Sequence, residues 1–188
     1  MASKIRLNFH TESEATINKQ INLELHASYV YMAMATYFAR DDVALHGFAK
    51  RFRENSDKER GHAMKLISYQ NRRGGRVVFQ DVCKPSTQEW NSALHAIECQ
   101  LELEQSIHKA LLELHKVAGS HGDAQLSDFI EGHYLKEQVE AEKEVGDLIS
   151  KMKRLGSEGL GLHIIDKELQ YIILFFSEMT SFPICLFQ

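Results

Sequence analysis

Apolar residues recur at steps of four and three along four long stretches of the chain, and a polar side chain interrupts each stripe near its middle. The clearest stripe is Phe48, Phe52, Asn55, Glu59, His62, Leu66 and Tyr69. On a helix this spacing sets every member on one face. Upstream, Ile17, Ile21, Glu24, Ser28, Tyr31, Ala35 and Phe38 keep the same rhythm, broken by Glu24. Downstream, Leu94, Ile97, Leu101, Glu104, Ile107, Leu111 and Leu114 are broken by Glu104. The last stripe is Ser127, Glu131, Tyr134, Gln138, Ala141, Val145 and Leu148, with Gln138 at its centre.

Punctuation between the stripes sets the topology. Thr11 or Ser13 is the expected cap of the first helix, with Glu12 and Glu14 suiting a helix N-terminus. Arg40-Asp41-Asp42 makes a short turn, and the second helix runs from Val43 or Leu45 to Arg73, where Gly74-Gly75 stops it. Residues 74–90 read as one long crossover. Its β-branched run Arg76–Val82 is expected to be extended, partly buried and able to pair with a copy of itself across a two-fold axis. A third helix near 91–119 ends at Gly119-Ser120-His121-Gly122, Asp123 caps a fourth over about 124–155, and Gly156–Gly159 breaks the chain before a last apolar segment from Leu160 to about Phe176. Helix, short turn, helix, long crossover, helix, short turn, helix is the order of an all-α four-helix bundle with one crossover connection.

Composition narrows the function classes. With 188 residues the chain is long enough for one domain with a sizeable core. Two prolines leave long helices uninterrupted. A net charge of −4 without a Lys/Arg block argues against nucleic acid and is compatible with a cationic cargo. Cys83, Cys99 and Cys185 have no paired spacing, which favours a reducing compartment, and the N-terminal residues lack the apolar run of a secretory signal. The expected location is the cytoplasm. The run Tyr171–Phe176 is too short to span a bilayer, so no membrane partner is expected.

The chemistry lies where the interruptions meet. Glu24, Glu59, Glu104 and Gln138 each fall near mid-helix, so in a bundle of matched rods they converge, with His62 beside Glu59. Three buried carboxylates repel one another unless a cation neutralises them. Oxygen ligands with one imidazole suit a first-row metal such as iron. Two ions bridged by the central Glu59 balance the charge better than one.

Several runs resemble animal ferritin: Ile21–Leu25, Ala27–Tyr31, Asp41–Leu45, Gln70–Arg76, Leu111–Lys116, Asp128–Glu131 and Glu137–Val139, within a match over about residues 5–170. The resemblance implies a hollow iron-storage shell of twenty-four subunits, alone or co-assembled with other ferritin subunits. It also implies a heavy-type chain that oxidises Fe(II) with O2 at an intrabundle di-iron centre. The implied ligands are Glu24, Glu59, His62, Glu104 and Gln138, with Tyr31 beside the centre: a better site from Glu24, Glu59 and His62, and a weaker one from Glu59, Glu104 and Gln138. It places Asp128 and Glu131 along a three-fold entry channel and gives residues from Leu160 a short fifth helix. Two departures stand out. Lys58, Gly61 and Met64 replace the usual cavity-facing glutamates, with acidic Glu54 and Asp57 nearby, and residues 171–188 form an apolar tail beyond the ferritin-like domain of residues 1–170. The rival readings are a shell subunit with little ferroxidase activity, a ferritin-like di-iron oxidase of another substrate, and a helical cytokine. The second requires a second Glu-x-x-His, which the fourth helix lacks; the missing secretory signal and the buried acids disfavour the third.

Overall fold

The computed structural model describes residues 3–171. Its rods are α1 (Thr11–Phe38), α2 (His46–Arg72) and α3 (Ala93–Ser120), then a fourth built from α4 (Ala124–Ile130), a π-helical turn (Glu131–Leu135) and α5 (Lys136–Leu155); α6 (Gly159–Tyr171) follows. Glu12 meets His121 and Tyr37 meets Trp90, so α1 and α3 are antiparallel. Arg73 at the end of α2 pairs with Asp123 beyond the end of α3, so α2 and α3 run the same way. The predicted four-helix bundle with a long crossover and a short C-terminal helix is what the chain forms.

The stripes face inward as their spacing requires. Every stripe residue of α1 is buried, as is every one of α2 except the half-buried Asn55. The apolar core falls into two clusters. One gathers Ile17, Ile21, Leu66, Ile107, Leu111, Phe129 and Tyr134; the other gathers Tyr31, Phe38, Phe48, Phe52, Ile97, Val145 and Ile165. Glu59, His62, Glu104 and Gln138 fall between the two clusters on their helices, and Glu24 joins them from within the first cluster's stretch of α1, forming a polar waist.

Local details depart from the sequence reading in four places. The cap of α1 is His10, whose imidazole accepts from the Glu12 N–H, while Ser13 is fully buried inside the helix. The Arg76–Val82 run forms no strand; among the described residues there is none. It lies along α1, held by a ladder of polar side chains one turn apart. Asn18 accepts from the Val78 N–H (3.1 Å) and donates to the Arg76 carbonyl (3.0 Å), Asn22 donates to the Asp81 carbonyl (3.2 Å), and His26 contacts the Cys83 carbonyl (3.2 Å). These bonds hold the run against α1, and Val78, Phe79 and Val82 are exposed.

The third departure is the π turn. It inserts one residue into the fourth rod, so Ile130, Tyr134 and Gln138, four apart, all stay inward. Ser127 and Glu131, counted into that stripe from the sequence, are half-buried and exposed. The fourth is the start of α2. Leu45 offers no side-chain cap, and Asp166 of α6 supplies one from 119 residues away, its Oδ1 accepting from the Gly47 N–H at 2.7 Å. The expected cap Asp123 does accept from the Leu126 N–H, at 3.0 Å. From residue 172 onward the apolar tail, including Cys185, lies outside the described residues.

Candidate metal centre

The waist brings together side chains from four rods. Glu24, Glu59, His62, Glu104 and Gln138 are 0, 3, 7, 4 and 5% exposed, too dry for any of them to be a solvated surface charge. One ligand atom from each of Glu24, Glu59 and His62 lies within 4.8 Å of the others. Glu104 and Gln138 join from the other side: the Gln138 amide donates to Glu104 Oε2 at 2.7 Å and to the Glu104 carbonyl at 2.9 Å. Tyr31, fully buried, donates its hydroxyl to Glu104 Oε1 at 2.5 Å.

The electrostatics show what this layer lacks. Burial, then the neighbouring Glu59 charge, holds the Glu24 carboxyl well above the usual carboxylate range. The same two causes raise Glu104, against the hydrogen bonds from Tyr31 and Gln138. Tyr31 is pushed up by burial and by Glu104. Glu24 takes one bond, from Gln20 to Oε1 at 2.8 Å, and its buried Oε2 has no partner. An acceptor oxygen without a donor, beside two more carboxylates and an imidazole, fits a cation held by oxygen and nitrogen.

His62 has both ring nitrogens engaged. Nδ1 faces Glu59 Oε2 at 2.9 Å, and Nε2 faces Glu137 Oε2 at 2.9 Å. Burial pulls its pKa down, but the two carboxylates outweigh burial and raise it. Glu137 itself lies 3.9 Å from both Lys58 and Lys65. The sequence stripes miss Glu137 because it sits one residue off the inward face. Only the folding of α5 against α2 shows its partner. Tyr134 completes the surroundings by donating to the His62 carbonyl at 3.0 Å.

A cleft of ≈ 410 Å³ opens beside Glu59 and Glu104, bordered by Arg51, Lys58, Glu137, Glu140 and Glu144, with the small Ala141 leaving room in its wall. It links the waist to solvent through side chains that are themselves polar.

The remaining sequence candidates lie elsewhere. Asp128 and Glu131 are exposed, outside the waist, and Glu131 pairs with His115 at 2.6 Å. Lys58, Gly61 and Met64 are exposed on α2, Lys58 at the border of that cleft. A second group of ligand-type residues, His10, Glu12 and His121, sits at the surface. Its rings are stacked at 3.6 Å, which keeps their in-plane lone pairs from converging, and His10 already caps α1. No helix among the described residues is long and apolar enough to cross a membrane.

The family model of the ferritin-like domain matches residues 14–155. The chain is similar to soma ferritin of Lymnaea stagnalis, 55% identical over 166 residues that span 88% of this chain and 95% of that protein.

Proposed function

The chain belongs to the ferritin family, and from that premise we propose that it is an iron-storage subunit of heavy type that oxidises Fe(II) with O2 at the bundle waist. Iron is the substrate and the cargo, and each Fe(II) gives up one electron to O2. The observation that carries this reading is the buried waist, where Glu24 Oε2 has no donor although it lies beside Glu59 and His62 in a dry layer that Glu104 shares.

The side chains divide the work. Glu24, Glu59 and His62 form the tighter site, because two carboxylates and an imidazole already lie within ligand distance of one another. Glu59, Glu104 and Gln138 form the looser one. There a neutral amide replaces a charged ligand, and Ala141 stands one turn on, where a symmetric di-iron protein supplies His. Glu59 is shared and bridges. Tyr31 orients Glu104 through the 2.5 Å bond and is a positioning residue for the looser site. A loosely held second ion favours release of Fe(III) to a storage cavity as hydrous oxide over permanent retention. The product shell contains twenty-four chains, of this subunit alone or mixed with other ferritin subunits, in the cytoplasm. Asp128 and Glu131 are assigned to the three-fold entry channel, where a ring of carboxylates draws Fe(II) inward.

The test is oxygen consumption on addition of Fe(II) to the iron-free homopolymer. Glu59→Ala and His62→Ala are each expected to slow the initial rate at least about a hundredfold, beyond the roughly 10–100-fold cost of losing only a partner behind a ligand, while particle size is unchanged. Wild-type rates in both variants contradict the assignment. A wild-type chain that assembles and takes up iron without fast oxygen consumption is instead a shell subunit with little catalysis.

A further inference from the structure

We infer that Glu137 is the positioning residue that presents His62 to the metal, a role that rests on the waist being the iron site. His62 has two chemically distinct nitrogens, and the fold aims them at different partners. Nδ1 points at Glu59, inside the ligand cluster, so a metal bound there takes the Nδ1 lone pair. Nε2 points away from the cluster to Glu137, 2.9 Å off. A neutral imidazole carries one N–H. Left with Glu59 alone, it places that proton on Nδ1, where it hydrogen-bonds to the carboxylate and blocks the metal. Glu137 offers the competing acceptor. With the proton on Nε2 and shared with Glu137, the Nδ1 lone pair is free, and the ring is fixed at both edges. When the ring starts as imidazolium, the proton displaced by the metal is the one on Nδ1.

Glu137 is held for this task. It stands at the start of α5, just beyond the π turn. Lys58 and Lys65, one turn of α2 to either side of His62, both lie 3.9 Å from it. The two lysines bracket the carboxylate over the imidazole and hold it in place. A carboxylate behind a histidine ligand orients the ring and raises its basicity, and losing such a partner costs roughly 10–100-fold in metal affinity.

The experiment uses the assembled, iron-free protein with Co(II) as the probe, so that no oxidation step enters the readout. Co(II) affinity is measured by equilibrium dialysis, and cobalt occupancy at His62 by anomalous diffraction from crystals at limiting metal. Glu137→Ala is expected to weaken binding at the waist about 10–100-fold and to leave the His62 ring turned or in two orientations. Glu137→Gln keeps an oxygen acceptor for the Nε2 proton and is expected to recover most of the loss. Glu140→Ala, one turn further along α5 in the same cleft, removes the same charge and is expected to leave affinity within about twofold. Undiminished affinity in Glu137→Ala overturns the inference. So does an equal loss in Glu137→Gln and Glu137→Ala, or an equal loss in Glu140→Ala, because each shows that charge rather than hydrogen-bond geometry matters. Failure of the waist as an iron site is told apart by His62→Ala: if removing the ring itself leaves Co(II) binding at the waist intact, the underlying reading falls, whatever Glu137 does.

Discussion

At the scale of single residues, the waist gathers buried carboxylates whose charge a proton or a cation relieves. Glu24 is the sharpest case, since it is fully buried and half-satisfied. Its folded-state pKa lies above its unfolded value, so between the two the folded chain holds a proton that the unfolded chain has released. That contribution to stability is present at acid pH and is lost as pH rises through and beyond the ordinary carboxylate range. Glu24→Gln is therefore expected to stabilise the iron-free protein at neutral pH by about 1–3 kcal/mol, the scale of an unsatisfied buried polar group, and to flatten the decline of stability as pH rises above the ordinary carboxylate range. Thermal denaturation at several pH values checks this; a Glu24→Gln variant less stable than wild type under mildly alkaline, metal-free conditions contradicts it. The residues of this layer were legible in the sequence because Glu24, Glu59, Glu104 and Gln138 break apolar stripes at matched heights. Glu137 was not, because its long side chain reaches His62 from a position off the inward face, and no periodicity marks such a contact.

At the scale of elements, helix boundaries and capping carry the prediction. The sequence placed the rods within a few residues, since Gly74, Gly122 and Gly156 take the positive φ that ends helices. It could not show that α2 is capped from α6. Asp166→Ala is expected to cost about 1 kcal/mol and to speed amide exchange at Gly47 and Phe48 specifically. Unchanged exchange there refutes the cap. Gly47 is fixed by the same contact, since a Cβ on it would fall 1.9 Å from the Asp166 carbonyl oxygen; Gly47→Ala should expose Ile165 by dislodging α6. The π turn was equally hidden, because one extra residue per rod leaves composition and hydrophobic count unchanged. It accounts for Ser127 and Glu131 leaving the stripe while Tyr134 and Gln138 keep it. Deleting exposed Gly132 converts the turn to α-helix and preserves the register on both sides. Deleting Gly146 within α5 turns everything after it by about 100°. The first deletion is expected to retain a cooperative unfolding transition and Co(II) binding; the second is expected to lose the packing of Met152 and α6. Equal damage from both would refute the register argument.

At the scale of the whole molecule, two apolar clusters keep the bundle closed while the polar layer between them remains a place for ions. The proposed site is built from residues 24–138, so on that reading the bundle carries its own chemistry. A chain cut after Tyr171 is expected to oxidise Fe(II) at the wild-type rate per subunit, measured on isolated particles; a hundredfold loss would show that the tail takes part. The central claim is that the acids of three rods meet, beside the Gln138 amide of the fourth, because iron balances their charge. Anomalous diffraction at the iron edge, from crystals loaded with Fe(II) without oxygen, tests it most directly. Two peaks are predicted about 3.5–4 Å apart, one among Glu24, Glu59 and His62 and one among Glu59, Glu104 and Gln138. Full iron loading with no peak at the waist would contradict the account.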